Sequence, residues 1–174
     1  ARWAKAPHCE TAGFMTQVKA ARSDKFYGQA LFDLQQETLM KILLAIDGSE
    51  FTKKMLAYLT THDELFSAKN SYTLLTVNPQ LPPRARAAVG KEMVDAYHRE
   101  EAEKVLAPVT KFLLRHNIDA KTMSKVGHAG ETISKTADSG KFDLVVMGSH
   151  GHGTLGNLVM GSVATQVLAN SKVP

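Results

Sequence analysis

The chain has 174 residues, 44% of them hydrophobic and 22% charged, with a formal net charge of +4. These values fit one globular domain with an extension. They exclude a bilayer span, since no apolar run approaches the ~20 residues required, an internal disulfide, since Cys9 is the single cysteine, and a dedicated nucleic-acid surface, since no dense Lys/Arg run occurs.

Residues 1–39 mix small, polar and aromatic residues without sustained periodicity, and Pro7, Gly13 and Gly28 interrupt any helical pattern. They read as a weakly ordered N-terminal extension or leader, with a short helix over 29–39 carrying Leu31, Leu34 and Leu39 on one side. No apolar run follows Ala1–Lys5, so no secretory signal is expected, and with the lone cysteine this points to the cytoplasm. A regular domain is expected over 40–174. Ile42-Leu43-Leu44-Ala45-Ile46 is a short apolar run ended by Asp47-Gly48-Ser49, a buried strand followed by a turn. Ser49 then caps a helix running from about Phe51 to Phe66. Residues 72–77 form a second strand, and Asn78-Pro79 through Pro82-Pro83 an irregular loop. A long amphipathic helix follows from Lys91 to Asn117, which Pro108 should kink or divide. Residues 120–126 read as an exposed or edge strand, Gly130 to Asp138 as a short helix, Phe142 to Met147 as a strand, and Val159 to Asn170 as the last helix. His62, His98 and His116 fall on helices and read as surface residues.

Strands alternating with helices define βαβ units and a Rossmann-like α/β fold, a parallel sheet with helices on both faces. Ligands of such sheets sit outside the carboxyl ends of the strands. Asp47, Val77 and a glycine-rich run from Gly148 to Gly156 all fall there.

Strand, glycine loop and helix together present free backbone N–H groups to a phosphate. Gly151-x-Gly153-x-x-Gly156 matches the dinucleotide fingerprint letter by letter. That fingerprint belongs to the first strand of its domain, with an acidic residue about 20 residues further on, whereas this run lies in the last unit. A P-loop fails as well, because no Lys-Ser or Lys-Thr follows the glycines. A different spacing fits better: two residues between Gly148 and Gly151, then nine before Gly161-Ser162. Gly161-Ser162 opens a helix whose unsatisfied N–H groups and positive dipole end favour anions. The Ser162 hydroxyl is then a donor to phosphate or, alternatively, a plain N-cap. His150 and His152, two residues apart with no third ligand evident, make a poor transition-metal pair, so no metal site is assigned. A hydrated Mg²⁺ bridging phosphates needs few protein ligands and fits better. No carboxylate pair or nucleophile–base pair stands beside the loop, so no catalytic residue is assigned.

The pattern G-x2-G-x9-G-[ST], carried by Met147-Gly148-Ser149-His150-Gly151 and Met160-Gly161-Ser162-Val163, resembles the ATP-binding signature of the universal stress protein family. The opening Ile42 to Ser49 and the pair Val126-Gly127 resemble it too, and the likeness covers residues 40–174 in order. The resemblance implies an adenine nucleotide α-hydrolase-like sheet of strand order 3-2-1-4. It also implies a final edge strand after Val173-Pro174, missing from this chain, that mediates a homodimer. It implies ATP (or ADP or AMP), with or without Mg²⁺, as ligand. Ala45 and Ile46 would line the adenine pocket, Asp47 would contact the nucleoside, and the Val77 backbone would meet adenine. Gly127 would lie near the ribose, and Met147, Gly148, His150, Gly151, Gly161, Ser162 and Val163 would complete the site. Read without the resemblance, Asp47 also suits the turn of an Asp-Gly pair, Val77 a core position and Gly127 a turn. Ala164 departs from the pattern, standing where many nucleotide-binding members carry a hydroxyl. The function implied is a stress-response sensor or signalling module. The alternatives are a slow ATPase or other adenine-nucleotide hydrolase, with Asp47 or His150 orienting water or metal, and a nucleotide-free interaction module of the same fold.

Overall fold

A computed structural model describes residues 39–62, 66–151 and 160–174. The short helix expected over 29–39 lies, apart from Leu39, outside these residues, as do His152, Gly153, Gly156 and Val159.

Four parallel strands form one sheet in the order β3-β2-β1-β4: β1 (Lys41–Ala45), β2 (Ser71–Asn78), β3 (Ala120–Val126) and β4 (Leu144–Met147). The expected strand order is the observed one. β1 lies between β2 and β4, with Leu44 paired to Leu74 on one side and Val146 on the other. A strand covered on both faces reads as an unbroken apolar run, which is what residues 42–46 show. Successive side chains point to opposite faces. Ile42, Leu44 and Ile46 therefore pack in one core cluster with Met55, Leu59, Leu106 and Leu113, while Leu43 and Ala45 pack in the other with Ile133, Ala137 and Val167. The first face is covered by α1 (Glu50–Thr61) and α3 (Lys91–Arg115), the second by α4 (Ala129–Ser139) and α5 (Ser162–Asn170). Among the described residues no helix is long and apolar enough to cross a membrane.

β4 and the last helix begin later than expected, at Leu144 and Ser162, and three other elements differ for local reasons. α1 stops at Thr61 instead of near Phe66. The Thr61 hydroxyl and the His62 ring both meet the Tyr58 carbonyl, the acceptor that the His62 N–H would use if the helix went on. The region expected as irregular loop contains a short helix, α2 (Pro83–Val89), which begins on Pro83 and ends at Gly90 with φ +79°. Proline is well suited to the first position of a helix. α3 runs through Pro108 undivided. Pro108 is exposed, so the Lys104 carbonyl that loses its helical donor faces water, while Leu106, Val109 and Leu113 stay buried on either side. His62 and His98, expected at the surface, are half-buried.

β3 lies at one edge, and most of its residues are exposed, as expected. At the opposite side of the sheet the Val145 N–H donates to the Pro174 carbonyl at 2.8 Å, so the residues after α5 run alongside β4.

Tyr72 is 1% exposed, and its hydroxyl donates to the Ser67 carbonyl at 3.0 Å. Burial pushes its phenol pKa above the usual value near 10, opposed in part by a hydrogen bond with Asn70. The folded state thus holds the phenolic proton more tightly than the unfolded chain. Its contribution is fully present below pH ~10 and is lost as pH rises through the folded value. Tyr72→Phe is expected to cost about 1 kcal/mol at neutral pH by leaving the Ser67 carbonyl without its donor. It should also remove part of the alkaline loss of stability seen in urea titrations between pH 9 and pH 11.

Candidate functional site

All three segments named at the carboxyl end of the sheet converge on one cleft of about 300 Å³. Its lining includes Ala45, Ile46, Asp47, Val77, Met147, Gly148, His150, Gly151, Gly161, Ser162 and Val163. Gly127 is not part of the lining. It sits at the β3–α4 junction, donating its N–H to the Asn78 carbonyl at 2.9 Å, and its Cβ position lies 2.9 Å from the Thr132 hydroxyl. Leu75, Ala129, Ile133, Ser149 and Ala164 also line the cleft. Leu75 lies two positions before Val77 on the same face of β2, so strand alternation signals it. Ala129 and Ile133 enter because α4 packs over this end of the sheet, a tertiary fact that no local pattern carries.

The floor is set by a difference in strand length. The Leu75 carbonyl accepts from Ile46 on the β1 side, and the Asn78 carbonyl accepts from Gly127 on the β3 side. Backbone groups alternate along a strand, so the Val77 N–H and C=O point to the β1 side. β1 has ended by then, at Ala45. Val77 therefore offers one donor and one acceptor to the cleft beside the apolar side chains of Ala45, Ile46, Leu75, Ile133 and Met147.

Asp47 is held by the turn that follows β1. Its Oδ1 accepts from the Ser49 N–H at 2.9 Å and from the Thr52 hydroxyl at 2.8 Å, and its own N–H donates to Thr52 Oγ1 at 3.2 Å. Ser49 accepts in turn from the Thr52 N–H, capping α1. The first turn of α1 is thus satisfied by its own side chains. The other oxygen, Oδ2, lies 2.9 Å from where a Cβ on Gly151 would stand.

The two halves of the glycine pattern meet across the cleft. The Gly161 N–H donates to the Ser149 carbonyl at 2.8 Å, and a Cβ on Gly161 would lie 3.1 Å from that oxygen and 3.3 Å from His150 Cα. Gly148 is equally tight, its Cβ position being 2.8 Å from Phe51 Cβ. α5 then starts with Gly161 in the N-cap position, without a side-chain cap and with no acidic residue in its first turn. Ser162 is accordingly the first helical residue, not the N-cap, and it is exposed to the cleft. An N-terminus left without a side-chain acceptor is a preformed anion site. His150 stacks 5.0 Å from the Phe51 ring, with its Nδ1 3.0 Å from the Ser149 hydroxyl. Its Nε2 is buried, with no hydrogen-bond partner among the described residues. Among the described residues, Asp47 and His150 are the two titratable groups of the lining, and no cluster of three metal-ligating side chains occurs.

Fold and cleft define a Rossmann-like α/β protein with a ligand-sized opening at the carboxyl end of a parallel sheet. The chain belongs to the universal stress protein family, whose model matches residues 38–174. The universal stress protein Slr1230 of Synechocystis sp. is 32% identical over 141 residues, which cover 80% of this chain and 42% of Slr1230. This chain therefore spans less than half the length of that relative. A Thermus aquaticus universal stress protein, from the QAH/OAS sulfhydrylase 3′ region, is 32% identical over 134 residues, 76% of this chain and 93% of that protein. Among solved structures, that of the hypothetical protein MJ0577 superposes with a TM-score of 0.63 at 28% identity, covering 78% of this chain and 92% of its own. An Arabidopsis thaliana family protein with AMP bound, At3g01520, shares the fold at a TM-score of 0.51 and 14% identity, over 78% of this chain and 88% of its own.

Proposed function

We propose that the chain binds an adenine nucleotide across the carboxyl ends of β1 and β4 and serves in the cytoplasm as a stress-response sensor or signalling module. The observation that carries this reading is the meeting of Ser149–Gly151 with the start of α5, which leaves the first-turn N–H groups of Ser162 and Val163 open to a phosphate. The other end of the cleft suits adenine. Val77 offers an N–H and a C=O side by side, the complement of adenine N1 and its exocyclic amine. Guanine presents the opposite polarity at those positions. On this reading Asp47 would meet the nucleoside and Ser162 would donate its hydroxyl to phosphate. Among the described residues no lysine or arginine lines the cleft and Asp47 is the one carboxylate, so a polyphosphate there would be neutralised by backbone dipoles and a Mg²⁺ held largely by phosphate and water. The bound form of the At3g01520 structure accords with a ligand of this class.

A binding role is favoured over turnover because Asp47 Oδ1 is already engaged by Ser49 and Thr52, and among the described lining residues His150 is the one other titratable group. Ala164 supports the rival reading, a nucleotide-free interaction module, because it brings a methyl group to the cleft where a hydroxyl would donate.

ATP at a hundred times its dissociation constant is expected to stabilise the domain by about 2.7 kcal/mol, which a thermal melt reads as a rise of several degrees. Gly151→Val, whose Cβ would press on Asp47 Oδ2, should abolish the rise. A wild-type midpoint that does not move at millimolar ATP sinks the nucleotide reading in favour of the interaction module.

A further inference from the structure

We infer that Phe51, which lies outside the cleft and outside the glycine pattern, is a positioning residue for nucleotide binding: its ring holds the 148–151 loop in the shape that meets the phosphate. This role rests on the nucleotide binding proposed for the cleft. Phe51 is the second residue of α1 and is half-buried. The buried residues of α1 are Thr52, Met55, Leu56 and Leu59. Among the described residues Phe51 belongs to neither core cluster. A phenylalanine ring is a large apolar surface, and here it is turned to the loop instead of the core.

Two contacts join Phe51 to the loop. Its ring centroid lies 5.0 Å from that of His150, with the rings inclined by 32°. A Cβ on Gly148 would stand 2.8 Å from Phe51 Cβ and 3.3 Å from the Phe51 carbonyl carbon, so loop and helix backbones approach closely. Hydrogen bonds do little to place the His150 ring. Its Nδ1 meets the hydroxyl of Ser149, a neighbour in the same loop, and its Nε2 is buried with no hydrogen-bond partner among the described residues. Packing must therefore place the ring, and Phe51 is its aromatic partner.

Both sides of this contact are anchored. Asp47 Oδ1 accepts from the Ser49 N–H and the Thr52 hydroxyl, which bracket Phe51 in sequence and tie the start of α1 to the end of β1. On the loop side the Ser149 carbonyl, one residue before His150, accepts from the Gly161 N–H at the start of α5. A shift of His150 thus moves the carbonyl that holds the first turn of α5, and with it the N–H groups offered to phosphate. Phe51 is not part of the cleft lining, so it acts through His150 and the loop rather than on the ligand.

Calorimetric titration with ATP, together with amide hydrogen exchange of the nucleotide-free full chain, tests this. Phe51→Ala keeps the Cβ that faces Gly148 and removes only the ring. It should weaken ATP binding about fivefold or more. Phe51→Leu, which keeps apolar bulk without a planar ring, should fall between Phe51→Ala and the wild type. Phe51→Tyr, which restores the ring, should bind as the wild type does. In nucleotide-free Phe51→Ala the Gly161 N–H should exchange at least about fivefold faster, with no comparable change at the N–H groups of β1. Leu59→Val, which loosens the far end of the same helix, should lower the thermal midpoint and leave ATP affinity unchanged. Phe51→Ala or Phe51→Leu binding as tightly as the wild type, Phe51→Tyr binding as weakly as Phe51→Ala, an unchanged Gly161 exchange rate, or Leu59→Val losing as much affinity as Phe51→Ala would each overturn the role of Phe51 while the nucleotide reading stands. A wild type that binds no ATP overturns the nucleotide reading and this role with it.

Discussion

Ser162→Glu is expected to weaken ATP binding at least a hundredfold while leaving the domain as stable as the wild type or slightly more so. The two effects share one cause. Ser162 is the first residue of α5, exposed, at a helix end with no side-chain cap and no acidic neighbour. A carboxylate there interacts favourably with the N-terminal dipole, worth about 0.3–1 kcal/mol. It also occupies the position intended for phosphate, and two like charges about 4 Å apart at an effective dielectric constant near 20 cost about 4 kcal/mol. A substitution that disrupted the fold would lower stability and binding together. Opposite signs in calorimetric titration and thermal melting therefore isolate the anion site. Ser162→Thr, which keeps the hydroxyl, should bind nearly as the wild type does.

Leu44→Ala is expected to destabilise the domain by about 3 kcal/mol and to lower its thermal midpoint by about 10 °C. Leu44 is wholly buried in the strand that pairs on both sides, and its side chain meets the cluster contributed by α1 and α3. Removing it leaves a cavity that neighbours from three elements would have to fill. Urea denaturation gives the cost directly, and a loss below about 1 kcal/mol would show that the two helices collapse onto the strand.

Much of the fold is legible in the sequence because burial on both faces writes itself as continuous apolar runs. Residues 42–46 and 72–77 each announce a strand whatever surrounds them, and the run over 142–147 announces β4, which begins two residues later at Leu144. Helix ends are less legible. The stop of α1 at Thr61 depends on threonine and histidine side chains competing for the Tyr58 carbonyl, and nothing in the apolar spacing up to Phe66 forbids another turn. Pro108 misleads in the other direction, because its cost depends on which face of α3 it occupies. Pro83 was hidden by its neighbours, since a Pro-Pro pair suits both a loop and a helix start.

The cleft divides in the same way. Gly148, Gly151, Gly161 and Ser162 are recognisable because close backbone approach admits glycine and little else, and the distances at Gly148 and Gly161 show that constraint. The outward-facing backbone of Val77 depends on β1 ending before β2 does, a consequence of register rather than residue type. Ala129 and Ile133 arrive with the packing of α4.

The central claim is that the cleft holds an adenine nucleotide, read at the base by Val77 and at the phosphates by the start of α5. Calorimetric titration of the purified full chain with ATP and, in parallel, GTP tests it most directly. The account predicts saturable binding of one ATP per chain, with GTP at least about tenfold weaker because its base reverses the donor and acceptor that Val77 meets. No saturable ATP binding, or equal affinity for the two nucleotides, would contradict it.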